Sequence, residues 1–357
     1  MTSTITPHIN RIATATPAND VHQAFISFAR EMITDPRARR VFDRMAERSG
    51  VSHRFSTFVP APADPEALDT ERFYRRGHFP GTAARMGIYE REATALAATA
   101  VERLQPGPIT HLIVASCTGF TAPGLDQKLI DRLHLGNHIQ RTLVGFMGCY
   151  ATVPALRLAY QAVRSDPAAR VLVVSLEMCT LHLQETPDLE TVLSFLIFGD
   201  GAAAALVTAE PHGIAIDGFH ATTLPDTQDL ITWRIGDQGF DMHLSGKVPS
   251  AIAGALRAEA DRNDGEGILA GRNPADIALW AVHAGGRTVL DAVEQGLRLP
   301  PDALDTSRAV LNDVGNVSSA TIGFVLERML AGARTGPGLA LAFGPGLCAE
   351  TFRFTRV

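Results

Sequence analysis

Residues 143–163 read LVGFMGCYATVPALRLAYQAV. An apolar run ends, a turn bearing Gly148 follows, and apolar positions at three- and four-residue spacing begin at once. Pro154 falls in the first turn of that pattern, where a missing N–H is tolerated. The unit is strand, tight turn, helix. Outward from it, the runs 111–116, 142–146, 171–176, 202–207, 277–282 and 339–343 are predicted strands. Most lack strict alternation, so they are expected to be covered on both faces. Between them, 91–104, 125–133, 151–163, 248–262, 289–297 and 318–330 carry the helical period. This order predicts an α/β protein with substantial parallel sheet.

The 357 residues are 46% hydrophobic and 20% charged, which excludes a disordered or collagen-like chain. That length suits two domains or one large duplicated unit. THLIVASCTGF at 110–120 and DIALWAVHAGG at 276–286 both run from a strand through small residues to a helix, an echo of duplication. A soft boundary is placed at 210–213, dividing the chain into halves 1–209 and 210–357. No run approaches the roughly 18 apolar residues that a membrane span requires. The opening MTSTITPHINRIATATP lacks a basic region followed by an apolar one, so a cytoplasmic protein without membrane insertion is expected. Thirty-two basic against 38 acidic side chains leave a formal charge of −6, and no global field favours nucleic acid. Any anionic ligand must be held by a local cluster. Cysteines 117, 149, 179 and 348 form no CxxC pair, which argues against a disulfide framework and a Cys-rich zinc site.

Three places could carry chemistry. Cys149 precedes a helix, where free amides and aligned dipoles are expected to lower a thiol pKa; the alternative is a buried thiol acting as a small apolar residue. His283 ends a strand before Gly285 and Gly286, which let another group approach the backbone, yet a histidine there can equally be core. Asn316 lies in a Gly-Asn turn with Ser318 and Ser319, where an N-cap role is the plainer one. Together they supply a thiolate nucleophile, an imidazole partner and an amide donor. Their separation along the chain leaves their meeting unproven. Gly344, Gly346 and Ala349 satisfy GxGxx(G/A) between two strands without opening a helix, so they are read as a tight turn. No GxxxxGK(S/T) or HExxH occurs, and no metal is assigned.

Five motifs then make the pattern specific: GCYATVPALRLA at Cys149, FGDGAAAALV at Phe198, HAGGRTVLDAVE at His283, GNVSSATIGFVL around Asn316 and FGPGLCAET at 343–351. In that order they resemble the type III polyketide synthases, the chalcone synthase-like branch of the thiolase-fold condensing enzymes. The INRIATATP and SCTGF segments look more like bacterial members. The resemblance implies a duplicated αβαβα thiolase-like core with mixed, largely parallel sheets. It implies a homodimer in which Cys149, His283 and Asn316 meet at the end of a tunnel reached by the CoA pantetheine arm. Cys149 would carry the acyl chain, His283 would stabilise its thiolate as an ion pair, and His283 with Asn316 would stabilise the enolate of malonyl-CoA. Acyl-CoA and malonyl-CoA would be substrates, with no resident cofactor.

Phe198 matches a family gatekeeper. Met242 stands where plant members carry phenylalanine, and a thin, flexible side chain there implies a cavity tolerating long or varied acyl chains. Cys117, Thr118, Cys179 and His182 match cavity-lining positions, so His182 could contact the chain during ring closure. Arg44 and Arg48 match the family's basic CoA-binding helix; its first basic position is Val41 here, for which Arg40 could substitute. Ala122 replaces a larger residue that in plant relatives crosses the dimer interface, and the Ala122–Pro123 bond is expected cis as in those relatives. Two competing readings are a ketoacyl synthase III-like single-step condensing enzyme and, on another fold, a Cys/His/Asn thiol hydrolase. A non-catalytic acyl-CoA-binding protein would not need all three polar groups.

Overall fold

In the computed structural model, which describes residues 5–262 and 264–357, every residue of Val171–Met178 is buried. That strand lies inside a nine-stranded mixed sheet. Its members are β1 (His8–Ala15), β2 (His111–Ser116), β3 (Gln140–Gly145), β4 (Val171–Met178), β5 (Asp200–Thr208) and β6 (Ile214–Thr223). A hairpin, β7 (Ile231–Gly236) and β8 (Gly239–Leu244), stands apart from it, and β9 (Leu279–Val282), β10 (Gly336–Gly344) and β11 (Cys348–Arg356) complete it. The strand order is β9-β10-β11-β6-β1-β5-β4-β2-β3. The echo between the two halves is visible in the pairing. β1 and β5 pair antiparallel, β5 and β4 antiparallel, β4 and β2 parallel. β6 and β11 pair antiparallel, β11 and β10 antiparallel, β10 and β9 parallel. Cys117 follows β2 and His283 follows β9, at equivalent ends.

Ten helices cover this sheet: α1 (His22–Met32), α2 (Pro36–Glu47), α3 (Thr82–Leu104), α4 (Leu125–Leu133), α5 (Thr152–Ser165), α6 (Leu189–Phe195), α7 (Val248–Ala260), α8 (Arg287–Leu297), α9 (Asp305–Val314) and α10 (Thr321–Ala331), counted among the described residues. Alternation along the strands sorts side chains into layers. Leu112, Val114, Leu172 and Val174 pack in one apolar cluster with α3, whereas Ile113, Ala115, Val171 and Val173 pack with α5 and α10. In the second half Ala281, Ala340 and Ala342 join that same central cluster, and Trp280, Val282, Leu339 and Leu341 join α7 and α8. Two helices, α5 and α10, thus lie between the two halves of the sheet, the αβαβα layering of the thiolase-like fold. Cys149 and Asn316 lie in the turns just before them.

Some expectations change. α3 begins nine residues earlier than its apolar period, because Arg85, Ile88 and Tyr89 are buried as well. β3 exposes Gln140–Leu143 instead of being covered, since it closes one edge of the sheet and pairs only with β2. β1 is not marked by an apolar run because Asn10 and Arg11 interrupt it, and its register shifts between Ile9 and Arg11. The segment 318–330 opens with a 3₁₀ turn, Ser318–Ala320, before α10. The Ala122–Pro123 peptide is cis. No helix among the described residues is long and apolar enough to cross a membrane.

Candidate active site

After β3 the chain turns through two left-handed residues, Phe146 at φ +58° and Gly148 at φ +82°, and delivers Cys149 to the base of α5. A Cβ on Gly148 would lie 2.2 Å from Cδ of Pro345, and one on Gly344 would lie 2.6 Å from the Tyr150 ring and 3.3 Å from the Cys149 backbone nitrogen. The FGPG turn between β10 and β11 is therefore pressed onto the nucleophile turn. This explains its glycines without a dinucleotide.

His283 continues from β9, its N–H donating to the Leu341 carbonyl at 2.8 Å. Its ring is 2% exposed, and Nδ1 meets no partner. Asn316 is held more firmly. Its Oδ1 accepts from the Ser318 N–H at 2.8 Å and the Thr321 hydroxyl at 3.3 Å, and its Nδ2 donates to the Gly285 carbonyl at 3.3 Å. With its oxygen occupied, the amide offers the site only N–H donors. Backbone bonds to the Ile197 carbonyl (2.7 Å) and from the Gly199 N–H (3.0 Å) tie Asn316 to the segment bearing Phe198. Cys149, His283, Asn316 and Ser318 line one apolar-walled cavity of about 770 Å³, its mouth included. The Ser318 hydroxyl donates to Cys149 Sγ at 3.6 Å, and Ser318 itself sits at φ +44°. No hydrogen bond joins the Asn316 amide to the imidazole among the described residues, so the third group does not orient the base as hydrolase triad logic requires.

Burial pushes the Cys149 thiol up to about 11, against donation from Ser318 and Asn316, and pushes His283 down to about 4. Burial thus works against the charged form of each group. The amides at the start of α5 are already used: Ala151 N–H donates to Gly148, Val153 N–H to Tyr150 and Ala155 N–H to Ala151. Beneath the cavity, Glu177 is fully buried and raised to about 7 by desolvation. Its carboxylate accepts from the Cys117 N–H (3.0 Å), the Thr118 hydroxyl (2.8 Å) and the Ser319 hydroxyl.

Phe198, Met242, Cys117, Thr118 and Cys179 all line the cavity. His182 does not. It is completely buried, its Nε2 bonds the Thr118 carbonyl at 2.8 Å, its Nδ1 accepts from the Phe240 N–H at 3.0 Å, and its ring stacks on Phe240. Both nitrogens are spent on the fold, so the expected contact with a growing chain is corrected to a structural role. Trp233, Phe195 and Ser318 line the site without having been singled out for it. Trp233 is directly paired with Met242 in the β7–β8 hairpin and donates its indole N–H to the Cys117 carbonyl at 2.9 Å. The only sequence signal for it was an aromatic residue within five positions of a polar loop.

A wider opening leads into the cavity and shares Leu244, Val248, Gly285 and Val289 with it. α2 runs beside this opening, N-capped by Asp35, which accepts from the Arg37 and Ala38 N–H groups. Arg48 reaches the rim; Arg40 and Arg44 are exposed along the helix and line neither space. None of the three forms an ion pair among the described residues.

The profile of chalcone and stilbene synthases, N-terminal domain, matches residues 5–211, and that of the C-terminal domain matches residues 216–357. The chain is 30% identical to an alpha-pyrone synthesis polyketide synthase-like protein of Mycobacterium tuberculosis, over 97% of this chain and 90% of the relative. It is 35% identical to the 1,3,6,8-tetrahydroxynaphthalene synthase of Streptomyces peucetius subsp. caesius, over 69% and 67% of the two chains. The crystal structure of a polyketide synthase from the brown alga Ectocarpus siliculosus superposes with a TM-score of 0.87 at 27% identity, covering 99% of both chains. A cysteine, an imidazole and an outward-facing amide around one tunnel end, in a doubled thiolase-like frame that both domain profiles match, make this chain a member of the chalcone and stilbene synthase family, the type III polyketide synthases.

Proposed function

We propose that the enzyme loads an acyl group from an acyl-CoA onto Cys149, extends it with malonyl-CoA in repeated decarboxylative Claisen condensations, and releases a cyclised product such as a pyrone or resorcinol. The observation that carries this reading is the fixed donor face of Asn316 in the same cavity as Cys149 and His283. In loading, Sγ attacks the thioester carbonyl while the thiol proton passes to the imidazole and on to the departing CoA sulfur. In extension, the imidazole N–H and Asn316 Nδ2 donate to the malonyl thioester oxygen. The bond to CO2 breaks, its electron pair becomes the enolate, and the enolate carbon attacks the acyl-Cys149 carbonyl, expelling the thiolate. The electrons of the new bond come from decarboxylation, so the reaction calls for no cofactor.

Phe198 lies between this cavity and a smaller one behind it that also touches Cys179, which supports a gatekeeper role. Met242 leaves room, but the indole of Trp233 beside it takes much of that room back. We therefore read the site as building short chains. Arg40, Arg44 and Arg48 supply the local cation cluster for CoA phosphates. The unpaired edge of β3, with Leu143 and the neighbouring Phe120 exposed, supports a homodimer, for which light scattering should give twice 38.2 kDa. Cytoplasmic placement, beside its CoA substrates, belongs to the same reading.

The test incubates purified protein with radiolabelled malonyl-CoA and a panel of acyl-CoAs without carrier protein. Released CO2, cyclic products and an acyl adduct that Cys149→Ala abolishes are expected. Peptide cleavage, absence of decarboxylation with every starter, or chain growth by Cys149→Ala would overturn the reading.

A further inference from the structure

We infer that Arg287, a residue outside the basic helix, joins Arg48 in gripping the first phosphate of the pantetheine arm at the tunnel mouth. This rests on the reading of CoA thioesters as substrates. The opening that leads to Cys149 is rimmed by two guanidinium groups from different elements, Arg48 at the C-terminal end of α2 and Arg287 at the first position of α8. Arg287 Nη1 donates to the Arg48 carbonyl at 3.1 Å, which holds its guanidinium against the end of α2. Its only carboxylate partner among the described residues is Asp291, 3.5 Å from Nε with both side chains partly exposed, a contact of little strength. Asp291 is also bound by Arg308 at 2.8 Å. Arg287 therefore retains free N–H donors in the fork geometry that suits a phosphate.

The rim also carries two acids. Asp188 accepts from the Thr191 N–H at 2.9 Å and the Thr191 hydroxyl at 2.7 Å, and Glu190 accepts from the Gly246 N–H at 3.2 Å. Asp188 is thus turned into the first turn of α6, and Glu190 is turned to the loop that follows β8. Arg48 has no ion pair among the described residues, so the cationic N–H donors left free on the rim are those of Arg48 and Arg287.

Position along the arm identifies the phosphate. Gly285 and Val289 belong both to the reaction cavity and to the opening, and Arg287 lies between them in sequence. A thioester at Cys149 extends its pantetheine past these residues, and the first charged group to emerge is the phosphate esterified to pantetheine. Arg40 and Arg44 line neither space and stand farther out along α2, toward the nucleotide end. Val41, where the basic pattern expects a cation, is compensated from α8. The same phosphate occurs in CoA and in the phosphopantetheine of a carrier protein.

The experiment measures calorimetric binding of CoA, 4′-phosphopantetheine and pantetheine to the full-length enzyme and to Arg287→Ala, Arg287→Lys and Arg44→Ala. Arg287→Ala should weaken CoA and phosphopantetheine alike by about tenfold and leave pantetheine unchanged, with Arg287→Lys intermediate. Arg44→Ala should weaken CoA but not phosphopantetheine. In turnover, Arg287→Ala should raise the KM for malonyl-CoA at constant kcat. Unchanged CoA affinity in Arg287→Ala, or an equal loss for pantetheine, would overturn the assignment. A wild-type protein that binds neither CoA nor phosphopantetheine would instead remove the substrate reading beneath it. Malonyl-CoA and malonyl carrier protein, compared as extenders, identify the source of the phosphate: a KM penalty from Arg287→Ala is expected for whichever is used, and its absence from that extender counts against Arg287.

Discussion

Asn316 does two jobs with one amide. Its oxygen holds the Ser318 N–H, which keeps Ser318 at φ +44° and its hydroxyl on the Cys149 sulfur, while its nitrogen gives one N–H to the Gly285 carbonyl and keeps the other to donate. Left-handed backbone at a serine costs about 1–3 kcal/mol, and the bond from Oδ1 helps to maintain it. Asn316→Asp keeps the oxygen and removes the donor. Release of CO2 from malonyl-CoA should fall about 10²–10³-fold, the usual loss of one oxyanion donor. The acyl-Cys149 adduct should still form by mass spectrometry. Undiminished decarboxylation would remove Asn316 from the oxyanion role.

At the level of elements, the β7–β8 hairpin sets how much space a growing chain meets. Trp233 and Met242 are cross-strand partners and so project to the same face, toward the cavity. The indole is pinned by the Cys117 carbonyl and packs edge-on against His182 and Phe240. Trp233→Ala should give longer polyketides, resolved by liquid chromatography and mass spectrometry. Its stability loss should stay below the roughly 3–5 kcal/mol of a fully buried tryptophan, since Trp233 is half-buried. Trp233→Phe keeps most of the ring and loses only the N–H bond, so its product range should match the wild type. An unchanged product profile in Trp233→Ala would show that the hairpin does not limit length.

For the whole molecule, burying polar groups inside five layers creates a pH dependence. His182 is lowered to about 3, and His22 and His283 to about 4, each chiefly by desolvation. The folded protein keeps them neutral while the unfolded chain takes up protons below about 6.5, so their contribution is present above that pH and is lost on acidification toward 4. Glu177, raised to about 7, and Asp200, raised to about 6, act in the opposite sense: the fold protonates them first, and their contribution is lost as pH rises through those values. Three histidines against two acids leave a net loss below about pH 6.5. His182→Gln can still donate to the Thr118 carbonyl but has nothing to titrate. Its stability, from urea unfolding midpoints between pH 6 and 4, should fall less steeply than that of the wild type by up to about 1.4 kcal/mol per pH unit. Parallel slopes would mean that His182 is not held neutral.

What could be read from the chain alone was whatever local geometry imposes on neighbouring residues. An apolar run, the turn at Gly148 and the helical period of α5 follow one another at once, so the α/β unit and the place of Cys149 were legible. Cys149, His283 and Asn316 could be named by motif, because each stands at the end of a strand or the start of a turn that its own neighbours specify. Only the tertiary structure decided what surrounds those groups. The charge on Cys149 depends on burial and on α5 amides already used by Gly148 and Tyr150. His182 looked like a cavity residue until Thr118 and Phe240, 64 and 58 positions away, took both its nitrogens. Trp233 and Arg287 acquire their roles from partners on other elements, at Cys117 and Arg48. Desolvation and hydrogen-bond partnership are set by groups distant in sequence, and no local pattern records them.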